Sequence, residues 1–120
     1  MYLAVGHQPI PDVTPLDVKR IVRRDFPEIQ FDSVMAALKG YEGNRERSRV
    51  QLAILKLARG SLDALRRHIN TATQDFRDVL APAEYPEYSK LAFRVRELPA
   101  AEQQRIIDSD WTQYQDWLRR

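Results

Sequence analysis

The amino-acid sequence predicts an all-α fold, a compact bundle of about six helices around a buried central helix at residues 45–59. The first observation is that this segment is apolar on nearly every side, as in helices that neighbours cover all round. The second is that an amphipathic stretch over 61–80 follows after only Gly60 and Ser61, which forces the two helices into contact. The third is that no segment keeps a strand-like alternation, apart from a short extended run at 2–5.

The first two helices are predicted from their boundary residues. Thr14 caps a helix that Pro15 starts and Pro27 ends, because proline fits the first helical turn and disfavours the α conformation of the residue before it. A second helix over 26–40 ends at a glycine. Residues 1–13 are predicted to form an irregular or extended N-terminal segment.

The central helix and its successor carry their own start and stop signals. Asn44 is a good N-cap, and Gly60 suits the position after the last helical residue, where a positive φ costs glycine little. Ile54 and Leu57 lie on the core stripe of the central helix, so both are predicted to be buried. Ser61 caps the next helix, which is predicted to run without interruption over 61–80.

Three prolines organise the remainder of the chain. It is predicted to turn at Pro82, to begin a short helix over 86–96, and to begin the last helix at Pro99. An apolar stripe of the last helix faces the core, namely Ile107, Trp111, Tyr114 and Leu118. Trp117 lies just off this stripe, on an adjacent face.

Three ordered blocks of sequence resemble a group of short, uncharacterised bacterial proteins. The blocks are LAILKLARG, ATQDFRDVLAPAEYP and IIDSDWTQYQDWL. Members of the group share a LAILKLA helix, a D-[YF]-R-D-V-L-A run that leads into AEYP, and a DW-x-QY-x-x-WL tail. The resemblance covers residues 44–90 and 105–118. It implies a compact helical domain and brings no activity, cofactor or catalytic residue with it.

Composition excludes several classes of protein. The chain has 120 residues, enough for one domain over 1–120, and 43% of them are hydrophobic. The absence of cysteine excludes disulfides, thiolate zinc sites and cysteine nucleophiles. No apolar run reaches membrane-spanning length, and no P-loop, G-x-G-x-x-G or G-x-S-x-G motif is present. These features predict a cytoplasmic protein with no catalytic residue, metal or cofactor, and no membrane partner.

Basic residues are concentrated in the central helix and its successor. The formal net charge is only +2, yet 44–59 holds five cations against one glutamate. The series comprises Arg45, Arg47, Arg49, Lys56, Arg59, Arg66 and Arg67. Arg45, Arg49, Arg66 and Arg67 are the predicted phosphate contacts if the pair of helices binds nucleic acid. The alternative is a solvated face whose apolar stems cover the core.

A second polar cluster flanks Pro82 and comprises Asp75, Arg77, Asp78, Glu84, Tyr85 and Tyr88. Asp75 and Asp78 share a helix face, and a turn at Pro82 would fold Glu84 back toward them. Three carboxylates close together can bind a divalent cation or serve acid–base chemistry. The alternative is a set of ion pairs with Arg77 and nearby arginines that only fixes the turn.

Trp117, with Arg119 and Arg120 beside it, is the predicted interface residue, because tryptophan and arginine are enriched in interface hot spots. A two-fold axis would repeat this patch against itself in a homodimer. The sequence therefore favours a non-enzymatic protein-interaction module whose partner is another protein or a second copy of itself. The alternatives are a nucleic-acid-binding protein that uses 45–67 and a small ligand- or metal-binding protein that uses 75–88.

Overall fold

The computed structural model describes residues 8–41 and 46–120, and across those residues the chain is helical with no strand. The all-α prediction is confirmed. Within the described residues, seven α-helices follow one another, with short 3-10 turns at Glu28–Gln30 and Ala92–Glu97. The helices are α1 (Pro15–Asp25), α2 (Phe31–Leu38), α3 (Arg47–Ala58), α4 (Leu62–Gln74), α5 (Arg77–Glu84), α6 (Pro86–Leu91) and α7 (Ala100–Arg119).

Helix α3 is the centre of the fold. Four consecutive residues of it, 52–55, are fully buried, which requires neighbours on every side. Helices α1, α4 and α5 supply them. The burial predicted for Ile54 is confirmed, whereas Leu57 is only half-buried because it lies at the edge of the packed stripe. The helix begins two residues later than predicted, and the predicted cap, Asn44, lies outside the described residues.

Two predicted helix starts are confirmed by their hydrogen bonds. The backbone N–H of Thr14 donates to the Asp17 carboxylate at 2.9 Å, which is half of a capping box at the start of α1. The hydroxyl of Ser61 accepts the backbone N–H of Ala64 at 3.2 Å and caps α4. Phe26 is extended before Pro27, so α1 ends just before this proline, as predicted from the effect of proline on the preceding residue.

The single helix predicted over 61–80 is wrong, because the chain breaks after α4 and starts again as α5. Asp75 is extended, and its carboxylate accepts the backbone N–H of Arg77 at 3.0 Å, which caps the new helix. The turn predicted at Pro82 is also wrong, since α5 continues through that proline to Glu84. Asp78 is exposed, so water can satisfy the carbonyl group that Pro82 leaves without a helical donor.

The buried face of α7 is rotated relative to the predicted stripe. It carries Ile106, Ile107, Asp110, Tyr114 and Trp117, while Trp111 and Leu118 are half-buried. The exposed face predicted for Trp117 is wrong, because only 8% of this residue is exposed. The centroid of its ring lies 5.5 Å from the centroid of the Tyr114 ring. The guanidinium of Arg24 lies over the Trp117 ring, with the Cζ atom 5.1 Å from the ring centroid. Trp117 therefore does not offer the free indole that the interface prediction required.

Candidate anion-binding cleft

An open cleft of about 810 Å³ lies where the ends of α1, α3 and α7 meet. Four cations and two carboxylates lie in its wall. The lining residues are Arg24, Asp25, Lys56, Arg59, Gly60, Gln113, Asp116, Trp117 and Arg120. We refer to this feature as the basic cleft.

Local backbone geometry brings the ends of α1 and α3 together. Gly60 has a φ of +79°, and a Cβ atom at this position would lie 2.8 Å from the carbonyl oxygen of Asp25. Only glycine permits both the left-handed turn and this close approach. Arg59, directly before it, is also left-handed, with a φ of 51°. The turn thus places the Arg59 side chain at the wall of the cleft by a backbone conformation that is unfavourable for a residue with a Cβ atom.

Arg24 joins the helices around the cleft and is already saturated with partners. Its Nε atom donates to the Asp25 carboxylate at 2.7 Å, and its Nη1 atom donates to the carbonyl of Trp117 at 2.6 Å. Arg24 and Asp25 therefore neutralise each other. The charge that remains in the wall is that of Lys56, Arg59 and Arg120 against Asp116, and Asp110 also lies close enough to act on Lys56.

The three remaining cations have no side-chain partner among the described residues. Within 8–41 and 46–120, the side chains of Lys56, Arg59 and Arg120 form neither ion pairs nor hydrogen bonds. Burial lowers the pKa of Lys56, and the positive charges of Arg59 and Arg120 lower it further, although Asp110 opposes the effect. An anion in the cleft would relieve this repulsion, so the arrangement is suited to bind a carboxylate or phosphate group.

Sequence reasoning found half of this cleft. The basic series included Lys56 and Arg59, which lie one helical turn apart at the end of α3. It missed Arg24 and assigned Arg120, beside Trp117, to a dimer surface instead. These two arginines come from α1 and from the end of α7, and only tertiary packing brings them near Lys56 and Arg59. The available signal was weak: both are cations at or just beyond the last turn of a helix, where such residues are common for reasons of helix electrostatics.

The predicted phosphate contacts do not converge on the basic cleft. Arg49 is half-buried, and its guanidinium donates two hydrogen bonds to Glu84, at 2.8 and 2.7 Å, and a third to Glu46 at 2.8 Å. Arg66 and Arg67 are exposed on α4 and lie outside the cleft wall. Arg45 lies outside the described residues. Arg49 is therefore engaged within the fold, and it holds α3 to α5.

The polar cluster around Pro82 is separated into two parts. Asp75 forms an exposed ion pair with Arg77 at 3.0 Å, as one of the two interpretations predicted. Glu84, by contrast, is 2% exposed and pairs with Arg49 of α3. In the part of the chain that the structure describes, no three histidine or acidic side chains come together as a metal site. The three carboxylates are thus not brought together.

Part of that cluster does line a second, smaller cavity. Arg77, Glu84, Tyr85 and Tyr88 surround a pocket of about 230 Å³ together with Arg49. The Tyr85 hydroxyl donates to the carbonyl of Pro9 at 2.6 Å, and desolvation together with the nearby Glu84 carboxylate raises the pKa of this phenol. The charged groups of this pocket are already paired, since Arg49 bonds to Glu84 and Arg77 to Asp75.

No helix of the described residues is long and apolar enough to cross a bilayer. The resemblance to short bacterial proteins rests on its three sequence blocks and stays a prediction. Comparison with protein-family models, with curated proteins and with solved structures finds no match to this chain.

Proposed function

We propose that this protein is a non-enzymatic interaction module that binds an acidic segment of a partner protein in the basic cleft. The observation that carries the proposal is the set of three unpartnered cations, Lys56, Arg59 and Arg120, around one open cavity. Unpaired cations in a concave wall attract anionic partners and orient them on approach.

The size of the cleft favours a peptide over a single small ion. Its volume of about 810 Å³ lies in the upper part of the range of about 300–1,000 Å³ for sites that enclose whole ligands. The wall also includes one aromatic residue, because Trp117 lines the cleft, although only 8% of it is exposed. An extended segment with alternating acidic and apolar side chains fits a wall of this kind.

Nucleic acid is the weaker alternative. Duplex binding uses cations along an exposed face, so that several phosphates are contacted at once. Here Arg49 is held by two glutamates, and Arg66 and Arg67 lie apart from the basic cleft. A homodimer stays a separate prediction, and Trp117 no longer supports it because the indole is buried within one copy of the chain.

Binding is tested with a fluorescently labelled hexaglutamate peptide and fluorescence anisotropy at low and physiological salt. We expect Lys56→Gln combined with Arg120→Gln to weaken binding by about tenfold or more, since charged hydrogen bonds contribute roughly 1.5–3 kcal/mol each. The matched control is Arg66→Gln with Arg67→Gln, which removes the same charge from outside the cleft and should leave affinity nearly unchanged.

The outcomes separate the two classes of partner. Equal weakening by both double variants would show that only overall charge matters and would refute the cleft as the binding site. A duplex DNA or RNA probe that binds more tightly than the peptide, and loses affinity in the control variant, would replace the proposal with nucleic-acid binding. Trp117 gives a second readout, because a peptide in the cleft should change indole fluorescence in a Trp111→Phe background.

A further inference from the structure

Lys56 differs from every other lysine of the chain. Lys19, Lys39 and Lys90 are exposed, whereas Lys56 is half-buried in the wall of the basic cleft. The charged groups that face this region come from three elements: Arg24 and Asp25 at the end of α1, Arg59 after α3, and Asp110, Asp116 and Arg120 of α7. Only the two arginines at 59 and 120 are both close to Lys56 and free of described partners.

We propose that Lys56 is an acylation site, modified without a dedicated enzyme by small acyl phosphates whose phosphoryl group binds to Arg59 and Arg120. Arginine is suited to this role because its planar guanidinium donates two parallel hydrogen bonds to phosphate oxygens. Lys56 lines the same cleft as both arginines, so an acyl phosphate held by them would lie in the cavity that the amine also faces.

The environment also favours the reactive form of the amine. Only the neutral amine is a nucleophile, and burial together with neighbouring cations is the usual means by which proteins obtain a neutral lysine. Both conditions are met at Lys56, whose pKa is lowered first by burial and then by Arg59 and Arg120.

The reaction balances without any further reagent. The lone pair of the neutral Lys56 amine attacks the acyl carbon, and a C–N bond forms as the C–O bond to phosphate breaks. Inorganic phosphate leaves with the electron pair of that bond, and the amine loses one proton to water or to the departing phosphate. Neither oxidation nor reduction occurs, and the product is an uncharged amide.

Acylation would remove one of the three unpartnered charges of the basic cleft. If the proposed function holds, this modification weakens binding of the acidic partner segment, so acyl phosphate becomes a negative regulator of the interaction. This regulatory consequence rests on the proposed function, whereas the acylation itself does not require any partner protein.

The test uses the purified chain and acetyl phosphate, with acetylation of each lysine followed over time by mass spectrometry. We expect Lys56 to react about tenfold faster than Lys19, Lys39 and Lys90, because the nucleophile is activated and the reagent is held beside it. Added inorganic phosphate should slow the reaction at Lys56 and leave the exposed lysines unaffected. Arg59→Gln with Arg120→Gln should abolish the preference, whereas Arg66→Gln with Arg67→Gln should preserve it.

Acetic anhydride separates binding of the reagent from reactivity of the amine, since it carries no phosphate. Phosphate should not protect Lys56 from this reagent. The proposal is overturned if Lys56 reacts with acetyl phosphate no faster than the exposed lysines do. It is also overturned if added inorganic phosphate does not slow the reaction of Lys56 with acetyl phosphate. Circular dichroism of each variant confirms that it is folded. Because this assay contains no peptide, its failure leaves the peptide-binding proposal standing, and failure of peptide binding leaves acylation of Lys56 standing.

Discussion

Removal of the Glu84 carboxylate should be a severely destabilising polar change in this protein. The Glu84 side chain is 3% exposed and the Arg49 side chain 16%, so both charges have lost most of their water. Two charge-assisted hydrogen bonds between the groups, at 2.8 and 2.7 Å, replace that hydration and join α3 to α5. Glu84→Ala leaves the Arg49 guanidinium desolvated, with only the exposed carboxylate of Glu46 as a partner.

The expected cost follows from these contacts. Two hydrogen bonds to charged groups contribute about 1.5 kcal/mol or more each, and truncation of one member of a buried pair costs about 3–5 kcal/mol. Because Glu46 still neutralises Arg49 in part, we expect about 3 kcal/mol for Glu84→Ala. Glu84→Gln retains one acceptor oxygen, so its cost should be about half as large. Replacement of both residues, Arg49→Met with Glu84→Leu, should cost less than about 1 kcal/mol because no charge is left buried.

The assay is equilibrium urea unfolding followed by circular dichroism. Wild type, Arg49→Met, Glu84→Leu and the double variant form one cycle, and Glu84→Ala and Glu84→Gln are measured beside them. With a urea dependence of about 1.5 kcal/mol per molar, Glu84→Ala should lower the midpoint by about 2 M. The double variant should be more stable than either single variant, and the control is Asp75→Ala, which breaks an exposed pair and should cost less than about 1 kcal/mol. If the two single-variant costs simply add in the double variant, the pair is not coupled and the reasoning is refuted.

Three further predictions concern single side chains. Tyr114→Phe should leave stability unchanged or raise it by up to about 1 kcal/mol, because the buried hydroxyl has no hydrogen-bond partner among the described residues; a loss above 1 kcal/mol in urea unfolding would contradict this. Burial raises the pKa of Asp110 in the folded state above its unfolded value, so the contribution of this residue to stability should decrease as the pH rises above about 4. The free energy of unfolding of wild type, relative to that of Asp110→Asn, should therefore fall between about pH 3 and pH 7. A difference that does not change with pH would refute the sign. Arg59→Gly should raise the free energy of unfolding by about 0.5–1 kcal/mol, because glycine adopts the left-handed conformation without strain. The same change should weaken hexaglutamate binding. Stabilisation without loss of affinity would show that Arg59 is not part of the binding site.

Local signals predicted the helix starts well. Thr14 and Ser61 could be recognised as caps because each hydrogen bond spans only three residues. The break at Asp75 is equally local, and the same rule applied to Asp75 and Arg77 would have found it; the apolar spacing continued across the break and concealed it. The turn predicted at Pro82 was wrong because a short helix tolerates proline when the carbonyl group that the proline leaves unpaired can reach water.

Long-range packing set the features that the sequence did not reveal. On α7, the predicted stripe and the observed buried face share Ile107 and Tyr114. The sequence favoured the stripe through Trp111, because the face that is buried includes the acidic Asp110. The contact of Arg24 with Trp117, between residues 93 positions apart, selects the stripe that buries Trp117. The basic cleft has the same origin, because its cations come from the ends of three helices and no sequence spacing relates Arg24 or Arg120 to Lys56 and Arg59.

The two arginines that extend from α1 to the end of α7 have a kinetic consequence. Arg20 and Arg24 donate to the carbonyls of Leu118 and Trp117, at 2.8 and 2.6 Å, across 98 and 93 residues of chain. Contacts of such high sequence separation carry the greatest loop-closure entropy, so they should form after the local pairing of α3 with α4. The docking of α7 would then follow the folding transition state, and the two arginines would determine how slowly the native state opens while leaving the rate of folding almost unchanged.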